Sequence, residues 1–124
     1  MLRIPTRVGP SRIHGLGLFA TEDVPRGTVV WRLDAGFDLE VDEVAAAALP
    51  PTARDQLDRY AYADPARGVR ILCADDARFF NHADAANCGD SPEEGPDVTV
   101  ALRDVAAGEE LTWDYRESGS SPPV

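Results

Sequence analysis

Apolar and polar positions alternate along this chain in runs too short for most helices. Leu2 to Val8 alternates, with Ile4 and Val8 on one face, and predicts a first strand that Gly9-Pro10-Ser11 ends. Leu16-Gly17-Leu18-Phe19-Ala20 predicts a buried strand entered through a tight turn. Thr28–Leu33, Phe37–Val41, Val69–Cys73 and Val98–Leu102 read as further strands, the first of them β-branched. Pro25-Arg26-Gly27 is a turn, and Glu110 to Tyr115 is the last strand, fed by a turn at Ala106-Ala107-Gly108-Glu109. Asp42 is placed to cap a short helix through Val44–Leu49, which Pro50-Pro51 ends. Thr52 to Tyr62 predicts a second helix, with Ala53, Leu57 and Tyr60 or Ala61 on its apolar stripe. Gly89 to Asp97 predicts an exposed acidic loop. About seven short strands against two short helices make the fold class mostly β with short helices.

Length and charge narrow the picture. The 124 residues suit one domain, able to hold a core without staples. We place that domain at 1–115 and read the Ser-, Gly- and Pro-rich 116–124 as a flexible tail. No apolar run approaches the roughly 18 residues of a membrane span. Met1-Leu2-Arg3-Ile4-Pro5 lacks the apolar core of a signal peptide. Cys73 and Cys88 make no disulfide framework. The expectation is a soluble, cytoplasmic protein with reduced thiols and no membrane partner. A net charge of −10 argues against nucleic acid, whose binding rests on Lys and Arg contacts to phosphate. It suits cationic partners, although acidity also serves solubility alone. Every basic residue is Arg; with abundant Ala, this reads as composition bias.

One stretch breaks the alternation: Arg78-Phe79-Phe80-Asn81-His82-Ala83-Asp84-Ala85-Ala86-Asn87-Cys88. Adjacent Phe residues each want roughly 150–250 Å² of apolar burial. They run into an amide and an imidazole that are costly to bury unless hydrogen-bonded. Polar side chains set against an apolar floor are how a small-molecule site is built. The plainer alternative is a turn after a buried strand, with His82 a satisfied structural histidine. This stretch alone leaves both open.

Two other stretches join it. Gly15 and Gly17 permit positive φ and a close approach of a ligand to the main chain. By themselves they are weak evidence, and the dinucleotide fingerprint fails for want of a third glycine and a following helix. The third stretch is Glu109-Glu110-Leu111-Thr112-Trp113-Asp114-Tyr115. A metal site from His14, His82, Cys73 and Cys88 lacks ligand spacing. In order, Gly15-Leu16-Gly17-Leu18-Phe19-Ala20, Arg78–His82 with Asn87, and Glu109–Tyr115 resemble the SET-domain protein lysine methyltransferases. The likeness runs from about Arg7 to Tyr115, turns included.

That resemblance implies small β-sheets in which the last segment threads under a loop as a pseudoknot. It implies S-adenosylmethionine as cofactor and a protein substrate whose lysine enters by a narrow channel. By motif, Gly15, Leu16 and Gly17 offer backbone contacts to the cofactor, while Asn81 and His82 hold its methionine and adenine portions. Tyr115 matches the tyrosine at the methyl-transfer point, the catalytic residue that also meets the cofactor, and Trp113 sits where the family has Phe or Tyr. Tyr60 and Tyr62 resemble the stretch beside cofactor and channel.

The departures lie in one loop. The family's Asn-His-Ser-Cys-x-Pro-Asn reads here Asn81-His82-Ala83-Asp84-Ala85-Ala86-Asn87. Asp84 replaces a cysteine that in many members shares a zinc with a cysteine-rich segment after the domain, so no metal is expected. Nothing in the short tail completes the lysine channel, which implies closure by a second copy of the chain, as a homodimer, or by the substrate itself. The altered Ala83–Ala86 stretch motivates a competing reading, a module with this fold that binds cofactor or protein without turnover.

Overall fold

Ten short strands form among residues 1–118, the part of the chain that the computed structural model describes. In chain order the elements are β1 (Thr6–Pro10), β2 (Leu16–Ala20), β3 (Val29–Arg32), β4 (Leu39–Asp42), α1 (Glu43–Ala47) and α2 (Pro51–Tyr60). They continue with β5 (Tyr62–Asp64), β6 (Val69–Leu72), β7 (Asn81–His82), β8 (Cys88–Ser91), β9 (Gly95–Ala101) and β10 (Glu110–Trp113). Short 3₁₀ turns cover Asp76–Phe79 and Tyr115–Ser118. The mostly-β expectation holds. Of the expected tail, 116–118 belong to the second 3₁₀ turn, and the rest lies outside the described residues.

A larger sheet runs β1-β2-β10-β8-β9-β3, with β7 also paired to β10, and a smaller one runs β4-β6-β5. Burial explains why the strands meet as they do. Leu18 on β2, Val30 on β3, Cys88 on β8, Ala101 on β9 and Leu111 on β10 close into one core. Trp31, Ile71, Cys73 and Ala77 form a second cluster where the small sheet docks. The two predicted turns are joined by a bridge between Val24 and Val105. Gly27 (φ 87°) and Gly108 (φ 88°) take left-handed conformations there that a side chain would resist.

Three expectations need correction. The first strand is Thr6–Pro10, running through the Gly9-Pro10 that was to end it. Pro10 is tolerated because β1 is the sheet's edge, where a missing N–H removes no ladder bond. The second helix stops at Tyr60 because Ala61 is extended, and Tyr62 pairs with Ile71 as β5. Pro51 opens this helix rather than only ending the previous one, as proline does at a first turn. The acidic Gly89–Asp97 stretch is a hairpin, since Gly89 and Asp90 pair with Val100 and Thr99. The Asp42 cap forms as expected, accepting from the Val44 and Ala45 N–H groups.

The connection that matters most is local. Trp113 pairs with His82 on one edge and Cys88 on the other, both parallel. Residues 83–87 therefore arch over β10, and the last strand passes beneath them. This is the threaded pseudoknot.

Candidate active site

The parallel pair of β7 and β10 brings Asn81 and His82 beside the Gly15 turn and the chain's final described segment. Asn81 is 5% exposed. Its Nδ2 donates to the His14 carbonyl at 2.9 Å, the Leu16 carbonyl at 3.1 Å and Glu110 Oε2 at 2.9 Å. Glu110 also accepts from Ser11 Oγ at 2.8 Å, and Ser11 Oγ in turn accepts the Ile13 N–H at 2.9 Å. A Cβ on Gly17 would lie 2.5 Å from Glu110 Oε2, so glycine here makes room for that carboxylate. Gly15 is different: its φ is +46°, and a Cβ would meet nothing within 4 Å. The turn's backbone thus faces open space, with Leu16 half exposed beside it.

His82 is fixed at both ring nitrogens. Nδ1 accepts the Tyr115 N–H at 3.1 Å, so the proton belongs on Nε2, which sits 2.8 Å from Asp84 Oδ1. Arg116 ties the two neighbouring carboxylates together, at 2.7 Å from Asp114 and 3.3 Å from Asp84. Its hydrogen bonds hold the half-buried Asp114 carboxyl at about 2.

Aromatic rings continue from His82 in a row. His82 and Tyr115 lie 5.5 Å apart, Tyr115 and Trp113 5.8 Å, Trp113 and Tyr62 5.8 Å, and Tyr62 and Trp31 6.1 Å. Tilted and edge-to-face arrangements at these distances are favourable. The Tyr115 hydroxyl donates to the Phe80 carbonyl. Burial raises the Tyr115 phenol above its ordinary value, and Glu110 adds to this. The Tyr62 hydroxyl donates to Asp97 at 3.1 Å; burial, then that carboxylate, push its phenol up as well. Trp113 Nε1 is buried without a hydrogen-bond partner.

The structure brings Gly15, Leu16, Gly17, Asn81, His82, Trp113, Tyr115 and Tyr62 around one strand pair. It does not bring Tyr60 into the aromatic row. That ring packs edge-on against Phe79 at 6.2 Å, with the Arg78 guanidinium 5.6 Å away. Sequence reading missed Ser11, Glu110 and the structural weight of Asn87. Glu110 lay inside a motif already singled out, and its alternation with Thr112 on β10 was the available signal. Among the described residues, no cluster of three His, Cys, Asp or Glu side chains could hold a metal. Both cysteines are buried, which raises each thiol to about 12, so neither is a nucleophile. A hollow of about 400 Å³, lined by Pro10, Arg12, Phe19, Gly108 and Glu110, shares only Glu110 with the site.

The family model for the SET domain matches residues 15–116, from the Gly15 turn to one residue beyond Tyr115. The chain belongs to the SET-domain family. It is 32% identical over 118 residues to the H3 lysine-4 specific histone-lysine N-methyltransferase of Schizosaccharomyces pombe, covering 87% of this chain and 12% of that protein. To trithorax, a histone-lysine N-methyltransferase of Drosophila melanogaster, it is 31% identical over 122 residues, covering 86% of this chain and 3% of that protein. The chain thus spans a small part of the length of these relatives. The fold agrees with solved SET structures. Neurospora DIM-5 superposes with a TM-score of 0.63 at 21% identity, over 92% of this chain and 53% of that one. The Polycomb Repressive Complex 2 of Chaetomium thermophilum, solved with S-adenosylmethionine, superposes with a TM-score of 0.68 at 21% identity, over 93% of this chain and 15% of that one. In this SET domain, Ala83 and Asn87 still anchor the arch to β10 despite the altered residues between them.

Proposed function

We propose that this SET domain is a protein-lysine N-methyltransferase that draws its methyl group from S-adenosylmethionine. The observation that carries the reading is Tyr115, held against His82 through its own N–H and against Phe80 through its hydroxyl, at the end of an aromatic row. The residues fit the cofactor. The Gly15 backbone faces open space, Asn81 gathers the His14 and Leu16 carbonyls beside it, and Leu16 offers an apolar surface. Gly15, Leu16, Gly17, Asn81 and His82 would hold it, and when bound it supplies an electrophilic methyl group.

The remaining chemistry falls to this chain. A lysine amine of pKa about 10.4 resists deprotonation at pH 7 by roughly 4.6 kcal/mol. Walls made by Tyr62, Trp113 and Tyr115 disfavour the ammonium by desolvation. No general base is assigned, because both His82 nitrogens and the Glu110 carboxylate are already engaged. Tyr115, kept protonated, orients the amine through its phenol oxygen. Alignment of the reacting groups supplies most of the acceleration. Lysines in basic segments suit a chain of net charge −10.

Labelled S-adenosylmethionine with lysine-bearing histone H3 peptides and cell lysate tests this reading. The chain has no lysine, so label on lysine belongs to the substrate. Wild type transfers label and Tyr115→Phe loses most of it. Absence of transfer to any peptide or lysate protein sinks the proposal.

A further inference from the structure

Arg67 sits in the turn between β5 and β6, away from the row of aromatics, yet its guanidinium reaches three carboxylates on three strands. Nε meets Asp64 of β5 at 2.7 Å, Nη1 meets Glu40 of β4 at 2.8 Å, and Nη2 meets Asp97 of β9 at 2.6 Å. One side chain therefore joins both outer strands of the small sheet to the large one. Each contact is a charge-assisted hydrogen bond, with the planar fork spent on three partners, a geometry no lysine reproduces.

Asp97 is where that clamp meets the proposed site. Its φ of 58° makes it the one non-glycine residue with positive φ among the described residues. Such conformations persist only when the surroundings over-determine them. Here three contacts do so. The Asp97 carbonyl accepts the Leu33 N–H at 2.9 Å, Oδ2 takes Arg67, and Oδ1 accepts the Tyr62 hydroxyl at 3.1 Å. Tyr62 then lies edge-to-face between Trp31 and Trp113.

Resting on the methyltransferase reading, we infer that Arg67 is a positioning residue for the lysine channel, holding Tyr62 against Trp113 through Asp97. The contact of Tyr62 with Trp113 sets one wall, and the docking of the small sheet sets how far that wall can move. Arg67 touches neither substrate nor cofactor. Its effect is on how firmly the wall is held, so it acts on lysine binding before it acts on transfer.

Tyr62 touches both of the chain's tryptophans, so their fluorescence reports its position without any need for turnover. Acrylamide quenching of the full chain should rise in Arg67→Gln and in Asp97→Asn, and not in Arg103→Gln, which removes an exposed pair with Glu109. In a Tyr62→Phe background, Arg67→Gln should add little, since the link it acts through is already cut. With a lysine peptide, Arg67→Gln should raise KM about five-fold, the worth of a pair near 1 kcal/mol, with kcat unchanged. A merely structural role would lower the active fraction, seen as kcat, and leave KM alone. If Arg67→Gln does not fold, wild type in 1 M salt replaces it, because that salt screens the same clamp and should raise quenching likewise. Unchanged quenching in a folded Arg67→Gln, or full additivity with Tyr62→Phe, overturns the inference. Coupled quenching with no methyl transfer would leave Arg67 positioning Tyr62 and remove the channel's proposed purpose instead.

Discussion

Asn87 and Thr112 exchange hydrogen bonds across the crossing point of the fold. The Asn87 N–H donates to Thr112 Oγ1 at 3.1 Å, and the Thr112 N–H donates to Asn87 Oδ1 at 2.9 Å. Asn87 Nδ2 adds a bond to the Glu110 carbonyl at 2.8 Å. Together with the Ala83 N–H to the Trp113 carbonyl, Asn87 thus ties the arch to the strand beneath it, in a site where Asn87 is 2% exposed. Any residue that cannot both donate and accept leaves a buried β10 group without a partner.

Asn87→Ala should therefore cost about 2–5 kcal/mol, from the buried Thr112 N–H and the part-buried Glu110 carbonyl each losing a bond. That corresponds to a fall in melting temperature of ~10 °C or more for a domain this size. Asn87→Asp should not rescue it, since a carboxylate would face the Glu110 carbonyl. Thermal unfolding by circular dichroism decides; a loss under ~3 °C for Asn87→Ala would show that the arch is held by other contacts.

How much of this was readable beforehand follows from the range over which each residue acts. Gly15-Leu16-Gly17, Asn81-His82 and Tyr115 stood out because their chemistry was wrong for simple turns or core strands. The fold brings these motifs together through long-range pairing that no local pattern encodes. Tyr62 fell at the end of the expected helix, yet it joins Ile71 on a strand, and nothing local encodes that choice. Gly89-Asp90-Ser91-Pro92-Glu93-Glu94 has the composition of a loop, and the pairing of Gly89 with Val100 makes it a hairpin instead. Glu110 lay in a recognised motif, but its bonds to Ser11 and Asn81 join residues far apart in sequence and needed the fold to appear.

The two glycines of the turn should fail differently. In Gly17→Ala the new methyl meets Glu110 Oε2 at 2.5 Å, so the carboxylate must leave Ser11 and Asn81. Gly15→Ala meets no atom and suffers only its φ of +46°, a penalty of about 1 kcal/mol. S-adenosylmethionine at about 100 times its dissociation constant should stabilise wild type by about 2.7 kcal/mol. Gly17→Ala and Asn81→Ala should lose most of that stabilisation, while Gly15→Ala keeps more of it. Equal ligand-induced shifts in all four proteins would break the site assignment.

The rate should depend on pH through the substrate. Burial and Glu110 raise the Tyr115 phenol, so it stays protonated as pH climbs to its ordinary value of about 10. The amine, in contrast, gains its reactive neutral form as pH rises. At low peptide concentration, transfer should increase about ten-fold per unit between pH 6 and 8, without an alkaline fall below pH 9. Tyr115→Phe should lower the whole profile and leave its slope. A maximum near neutrality would reveal an ionising enzyme group that this site does not assign.

The number of methyl groups transferred should be set by Trp113. Its ring stands 5.8 Å from both Tyr62 and Tyr115, so on the methyltransferase reading it would narrow the space a substituted amine needs. Trp is bulkier than the Phe or Tyr that the family's pattern places there, and its buried Nε1 has no acceptor. On that reading, a lysine already bearing methyl groups would meet the ring edge as it turned to present its lone pair. Mono- and dimethyllysine are therefore the expected products of wild type. Trp113→Phe removes ring volume and the unpaired N–H together. An unsatisfied buried donor costs about 1–3 kcal/mol, so its loss offsets part of the packing deficit and the variant should remain folded. Its product should shift toward higher methylation. Mass spectrometry of the peptide at long reaction times separates the outcomes, and dominant trimethyllysine from wild type would show that Trp113 does not limit the channel.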